Sequence, residues 1–201
     1  LEKVICTAEK FGATHVSTFA GAWEGKPVES AYEEFGKVFR ELADLAEEKG
    51  VKLGIENCLM DGTWEHATCN IGFNPKAWEV MFEEVKNDNF GLEWEPTHQM
   101  VQLIDPLTEL RKWCKKIVHV HGKDATIDWD AVRHGGISGA VPFVWHRMPG
   151  FGDTNWRDII SILRSNGYED DICIEGYHDP VYRGELEMTG QLHALNYLKW
   201  C

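Results

Sequence analysis

The stretch IVHVHGKDA, residues 117–125, is an apolar segment that breaks into polar residues at its C-terminal end. Continuous apolar runs of this length are typical of parallel strands that are buried on both faces. The chain repeats this form three more times, in KLGIENC (52–58), FGLEWEPTH (90–98) and DICIEGYHD (171–179). We therefore expect a set of buried parallel strands with polar residues at their C-terminal ends.

The polar ends of these stretches carry candidate metal ligands, which are Glu56, Glu95, His121 and Glu175. In a parallel α/β barrel the C-termini of all strands converge on one rim, so residues that are distant in sequence meet there. Two or three carboxylates and one imidazole around a common centre suit a divalent cation such as Mn²⁺, Mg²⁺, Co²⁺ or Zn²⁺. The pattern therefore predicts a metal site at this rim.

The composition is that of an ordinary globular protein, with 201 residues, 43% of them hydrophobic and 26% charged. No run of about 18 apolar residues occurs, so no membrane-spanning helix and no membrane partner are expected. The net charge of −13 argues against a nucleic-acid partner, because binding to phosphates requires a basic face. Six cysteines without a C-x-x-C pair predict reduced thiols and a cytoplasmic protein.

Strand and helix patterns alternate along the chain, which predicts a parallel sheet covered by helices. A fifth strand is expected at 14–21, and residues 125–155 are expected to be irregular because of their many glycines. Helices are expected at 1–11, 29–49, 74–85, 105–115, 156–166 and 184–199.

Five strands are too few for a closed barrel of eight, which typically needs about 250 residues. The fold class we expect is therefore α/β, a TIM (β/α)8 barrel that lacks its first three βα units in this chain. An open sheet that buries its edge elsewhere is the alternative. No linker-like stretch interrupts the sequence, so residues 1–201 are assigned to a single, partial barrel domain.

Several longer motifs carry a resemblance to a known superfamily. They are VSTFAG (16–21), GIENC (54–58), NIGFNPKAWEVMF (70–82), GLEWEPTHQMVQLIDP (91–106), IVHVHGKDA (117–125), HRMPGFGDTNW (146–156) and ICIEGYHDPVY (172–182). With these motifs the chain resembles the xylose-isomerase-like sugar phosphate isomerase/epimerase superfamily. Its members include ketose 3-epimerases, hydroxypyruvate isomerase, inosose dehydratase and the endonuclease IV branch.

The resemblance implies one divalent metal ion, with manganese favoured, held by Glu56, Glu95, His121 and Glu175. The family usually has Asp where this chain has Glu95, so that carboxylate is displaced by about one methylene. Carried over position by position, the substrate-binding residues are His98, Lys123, Asp124 and Arg147.

By the same resemblance, Glu56 and Glu175 are the catalytic pair, one removing a proton next to a carbonyl and the other returning it. The implied function is a metal-dependent sugar or sugar phosphate isomerase/epimerase with a small-molecule substrate, and a homo-oligomer is compatible with it. The alternative is an inosose-type dehydratase that uses the same metal. An endonuclease IV-like phosphodiesterase is disfavoured by the negative charge, and a non-catalytic binding protein by the intact carboxylate pair.

The remaining histidines have plainer interpretations. His119 is expected to be a buried, hydrogen-bonded histidine beneath a helix. The others are expected to face solvent, namely His15, His66, His134, His146 and His193.

Overall fold

The structure is a computed structural model that describes residues 1–201. Its helices are α1 (Glu2–Phe11), α2 (Tyr32–Glu48), α3 (Pro75–Glu84), α4 (Thr97–Met100), α5 (Pro106–Trp113), α6 (Trp129–Gly135), α7 (Trp156–Ser165) and α8 (Glu187–Trp200). Its strands are β1 (His15–Thr18), β2 (Lys52–Glu56), β3 (Phe90–Trp94), β4 (Ile117–Gly122), β5 (Asp124–Ile127), β6 (Val144–Arg147) and β7 (Ile172–Ile174). Short 3₁₀ turns occupy Val28–Ala31, Cys114–Lys116 and Gly184–Leu186.

The main sheet has five strands in the order β1-β2-β3-β4-β7. The pairs from β1 to β4 are parallel, as expected for strands that are each followed by a helical connection. The chain forms two compact units, the first of residues 1–94 and 115–120, the second of residues 95–114 and 121–201. The assignment of 1–201 to a single domain stays a prediction.

In the first unit, one face of the sheet packs against helices α2 and α3. The ring of Phe90 lies 6.2 Å from that of Phe35 and 5.7 Å from that of Phe82. Leu53 and Leu92, on the same face, are fully buried. Alternation of side chains along each strand then places Gly54, Gly91 and Glu93 on the opposite face.

That opposite face is concave. His15 on β1 and His119 on β4 stack their rings with centroids 4.0 Å apart, although two strands separate them in the sheet. In a flat sheet, strands three positions apart would lie about 14 Å from each other at the usual strand spacing. The first unit therefore contains a strongly curled sheet, which is the curvature that a barrel requires.

The second unit contains the end of β4, strand β7 and helices α4 to α8. Residues 125–155, which the sequence predicted to be irregular, contain the antiparallel pair β5–β6 and helix α6. That prediction was wrong because the two strands pair across a long connection, which local periodicity does not reveal. Trp156, Ile159 and Met148 are fully buried and form part of this unit's core.

The ends of the helices follow the expected signals. Asn74 accepts a hydrogen bond from Lys76 N at 2.9 Å and Pro75 opens α3, while Asp105 caps α5 in the same way. Gly12, in the left-handed conformation, ends α1. No helix combines the length and the apolar character that crossing a bilayer requires.

Candidate functional site

Glu56 lies at the end of β2 in the first unit and is half-buried. The buried side chain of Asn70 fixes the backbone around it. Asn70 donates hydrogen bonds to the carbonyl oxygens of Glu56 and Cys58, both at 2.9 Å, and accepts them from the N–H groups of Ala20 and Gly72, both at 3.0 Å. The loop after β2 thus contributes a rigid clamp that holds the strand end bearing the predicted catalytic carboxylate.

In the second unit, Glu95 and His98 form a close pair. Glu95 follows β3 and is fully buried, and the one-turn helix α4 carries His98. The Nε2 atom of His98 lies 2.9 Å from Glu95 Oε1, and Gln102 donates a hydrogen bond to the carbonyl oxygen of His98 at 2.8 Å. The predicted metal ligand and the predicted substrate contact are therefore adjacent, three residues apart along the chain.

A second close group joins Glu175 to the end of β4. The Glu175 N–H donates to the carbonyl oxygen of Gly122 at 3.0 Å, which brings its side chain beside those of His121 and Lys123. His121 Nδ1 lies 3.2 Å from Glu175 Oε2, and Lys123 Nζ donates to Glu175 Oε1 at 2.5 Å. Three of the predicted site residues thus meet in direct contact.

The electrostatics of this group keep Glu175 ionised. Burial alone would raise the pKa of Glu175, but the contact with His121 and the charge of Lys123 outweigh it and lower the pKa to about 2. Lys123 itself is only 3% exposed, so its ion pair with Glu175 is shielded from water. A carboxylate in this setting remains an anion at every physiological pH.

The structure places Asp124 in a different role from the other predicted residues. It is fully buried, and its two oxygens accept hydrogen bonds from the backbone N–H groups of Ala125, Thr154, Gly150 and Gly152 at 2.8–3.3 Å. Burial raises the pKa of Asp124, although these hydrogen bonds oppose the rise. Asp124 therefore organises the loop after β6, and its predicted contact with substrate stays a prediction.

Arg147 is held by a buried aspartate that the sequence did not single out for this role. Asp179 Oδ2 lies 3.4 Å from Arg147 Nε and accepts the Met148 N–H at 2.8 Å, and Oδ1 accepts from Val181 and Tyr182. Burial works against ionisation of Asp179, yet the backbone hydrogen bonds outweigh it and lower its pKa. Arg147 is thus anchored at one nitrogen by a side chain that remains charged.

His146 is a residue of this site that sequence reasoning placed in solvent. Its ring is half-buried and meets the rings of His98 and His178 edge-on, with centroids 5.7 Å and 5.6 Å away. Burial, and then the charge of Lys123 and the neighbouring His98, lower the pKa of His146 to about 4. The apolar run VPFVW (141–145), which comes directly before His146, indicates a strand. This signal was missed because the region was interpreted as irregular.

Two predicted ligands of the second unit, His121 and Glu175, are placed as neighbouring ligands of one divalent ion would be. Glu95, His121 and Glu175 supply carboxylate and imidazole donors from buried or half-buried positions. With metal–ligand distances of about 2.0–2.2 Å in tetrahedral geometry, two neighbouring ligand atoms of one ion lie about 3.3–3.6 Å apart. His121 Nδ1 and Glu175 Oε2 are 3.2 Å apart, close to this spacing. Glu56, the fourth predicted ligand, belongs to the first unit.

The sequence profile of the xylose isomerase-like TIM barrel family matches residues 1–199, and the chain belongs to that family. The prediction of an α/β fold of the TIM-barrel class is confirmed, with five parallel strands in the main sheet.

The chain is also similar to known proteins in sequence and in fold. The inosose dehydratase of Clostridium tetani (strain Massachusetts / E88) is 26% identical over 190 residues, which cover 92% of this chain and 61% of that protein. The crystal structure of a D-tagatose 3-epimerase-like protein superimposes with a TM-score of 0.68 at 18% identity, covering 99% of this chain and 67% of that one. The crystal structure of an IOLI protein with a bound zinc atom superimposes with a TM-score of 0.67 at 21% identity, covering 99% of this chain and 65% of that one.

The chain spans 61–64% of the length of the first curated relatives that it matches.

Proposed function

We propose that this chain belongs to a divalent-metal-dependent sugar isomerase or epimerase that moves a proton on the carbon next to a carbonyl group. The observation that carries this proposal is the group around Glu175. A carboxylate held ionised between an imidazole and a buried ammonium has the composition of a metal-assisted proton-transfer site.

The proposed metal ligands are Glu56, Glu95, His121 and Glu175. When bound, the ion would polarise the substrate carbonyl and stabilise the negative charge that develops on its oxygen. Manganese is the ion that we favour, and the zinc found in the similar IOLI protein makes zinc the first competitor to test.

Glu56 and Glu175 are the proposed proton carriers. A carboxylate with a pKa of about 2 is a weak base, because general bases work best when their pKa lies near the operating pH. Glu175 becomes a better base once Lys123 turns from it to a substrate oxygen, since losing a paired cation raises the pKa of a carboxylate. Substrate binding would therefore activate Glu175 through Lys123.

His98 and Arg147 are the proposed contacts to the substrate's oxygen atoms. His98 lies against Glu95 and can donate to a hydroxyl group, and Arg147 is oriented by Asp179 through one nitrogen only. Asp124 is proposed to act through the loop that it organises, because its carboxylate already accepts four backbone hydrogen bonds.

The net charge of −13 and the six free cysteines support a cytoplasmic protein with a small-molecule substrate and no nucleic-acid partner.

Dehydration is the second candidate function. It is favoured by the similarity to inosose dehydratases, and it begins with the same removal of a proton next to a carbonyl. The two reactions differ in the next step, in which an epimerase returns the proton and a dehydratase expels a hydroxyl group from the neighbouring carbon.

The test is to incubate the protein with Mn²⁺, a panel of ketoses and inososes, and deuterated water. An isomerase or epimerase incorporates solvent deuterium next to the carbonyl, whereas a dehydratase gives an unsaturated ketone with ultraviolet absorbance. Glu175→Gln should lower turnover by about 10²–10⁴-fold, the usual effect of removing a general base. Full activity of both Glu56→Gln and Glu175→Gln would overturn the proposal.

A further inference from the structure

A second group of metal-ligating side chains lies on the concave face of the first unit. It consists of His15 on β1, Glu93 on β3 and His119 on β4, and its candidate ligand atoms all lie within 4.8 Å of one another. We refer to these three residues as the inner cluster. None of them belongs to the residues proposed above for catalysis, metal binding or substrate binding.

The fold brings the inner cluster together through two features of the sheet. The curl of the first unit lets His15 and His119 stack with ring centroids 4.0 Å apart and planes inclined by 22°. The register between β3 and β4 shifts after Leu92, so that Glu93 pairs with His119 and Val118 is skipped. Paired residues of adjacent strands point to the same face, so the shift sets Glu93 beside His119. The expectation that His119 lies beneath a helix was therefore wrong, because its ring lies on the concave face of the sheet.

Burial also favours a formed site. Glu93 and His119 are 6% and 7% exposed, and His15 is half-buried, which leaves an approach from the β1 side. Thr14 Oγ1 lies 3.4 Å from His15 Nδ1 and can orient the imidazole, leaving its other ring nitrogen for a ligand. Partners of this kind commonly fix the orientation of histidines that bind metals.

We propose that the inner cluster binds a transition-metal ion of the Zn²⁺ type, in addition to the ion proposed for Glu56, Glu95, His121 and Glu175. Two imidazoles and one carboxylate are a typical ligand set for Zn²⁺, Co²⁺ or Ni²⁺, whereas Mg²⁺ and Ca²⁺ prefer oxygen atoms throughout. Neighbouring ligands of one zinc ion lie about 3.3 Å apart. The ligand atoms already lie within 4.8 Å of one another, and the stacked rings of His15 and His119 would turn out of parallel so that one nitrogen of each faces the ion.

The ion would act as a structural clip. It would join β1, which is at one end of the strand order, to β3 and β4. Binding to the folded state alone raises the unfolding temperature in proportion to the logarithm of the free metal concentration. The rival explanation is a cluster that shares a proton between carboxylate and imidazoles and binds no metal.

The experiment compares four forms of the intact chain: wild type, His15→Gln, His121→Gln and the control His66→Gln, whose histidine is exposed in a loop of the same unit. Each is titrated with Zn²⁺ in equilibrium dialysis and with Co²⁺ in visible spectroscopy. Wild type and His66→Gln should bind one equivalent more than His15→Gln. Zn²⁺ should also raise the unfolding temperature of His15→Gln less than that of wild type.

His121→Gln separates this proposal from the proposed function. It should keep the equivalent that His15→Gln loses, and X-ray absorption of its one-equivalent zinc form should count two imidazole ligands. That count does not depend on whether His15→Gln folds. Two results would overturn the inner-cluster site. One is an equal zinc stoichiometry in His15→Gln and wild type, and the other is a count of fewer than two imidazole ligands in the zinc form of His121→Gln. Loss of metal from His121→Gln together with normal catalysis would instead contradict the proposed function.

Discussion

Glu175 takes its chemical character from two basic neighbours, His121 and Lys123. Burial alone would favour its neutral form, and only the contacts with these side chains keep the carboxylate ionised. The charge state of Glu175 therefore depends on Lys123 as much as on its own side chain.

Replacing Lys123 with Met should raise the pKa of Glu175, because removal of a paired cation disfavours the charged carboxylate. The acidic limb of the profile of kcat/KM against pH should move up by about one to three pH units. Lys76→Met is the matched control, since Lys76 pairs with Glu79 on the exposed surface. An acidic limb that stays in place would contradict the assigned role of Lys123.

Asn70→Ala should destabilise the protein, because the side chain satisfies four backbone groups in a buried loop. We expect a loss of about 2–3 kcal/mol in the free energy of unfolding, measured by urea titration. Turnover should fall as well, since the clamp fixes the backbone of Glu56. Asn196→Ala, on the exposed surface of α8, should change neither by a measurable amount.

At this scale, the sequence revealed residues whose signal is local. Glu56, His121 and Glu175 stand out because each ends an apolar run. Asn70 and Asp179 do not, because their importance lies in hydrogen bonds to segments far along the chain, which no pattern around the residue records.

Among the elements, β3 and β4 approach each other closely at Gly91. A Cβ atom at Gly91 would collide with the carbonyl oxygen of Lys116 and with the side chain of Val118. The same junction contains the register shift after Leu92 that positions His119. Glycine at this position is therefore required by the close approach of two strands.

Gly91→Ala should cost about 2–4 kcal/mol of unfolding free energy, because a backbone contact cannot yield as a flexible side chain can. Gly135→Ala is the comparison, since nothing lies within 4 Å of a Cβ atom there and the residue is helical. That change should be neutral or slightly stabilising. Thermal unfolding of both variants checks the pair, and an equal effect of the two substitutions would contradict this account of the junction.

Element by element, the five strands of the main sheet and the main helices were predictable because their apolar patterns and end signals agree. The β5–β6 pair was not, since its two strands lie on either side of a helix and a glycine-rich loop. Their pairing is a tertiary event, and short strands are defined by their partner more than by their own sequence.

For the whole molecule, His146 should make stability depend on pH. Its pKa is about 4 in the folded state and about 6.5 in the unfolded chain, so between these values the unfolded state binds more protons. Stability is therefore complete above about pH 6.5 and declines as the pH falls towards 4. Allowing for the partial exposure of the His146 ring, we expect the free energy of unfolding to fall by about 1–2 kcal/mol between pH 7 and pH 5.

His146→Gln removes this proton uptake and should flatten the decline. The measurement is the free energy of unfolding in urea at pH 7 and pH 5, with His66→Gln as the exposed control. A decline of the same size in His146→Gln and in wild type would show that another group is responsible.

Neither compact unit is a continuous piece of the chain, and this has a consequence for how the protein is made. The first unit needs residues 115–120, which follow twenty residues of the second unit. During synthesis, residues 1–94 must therefore wait, with the edge of β3 that pairs with β4 left open, until β4 has left the ribosome. Strand β4 then serves both units, its residues up to Val120 in the first and from His121 in the second. Completion of the two units is thus tied to one six-residue segment, and nascent chains that end before it should depend on chaperones.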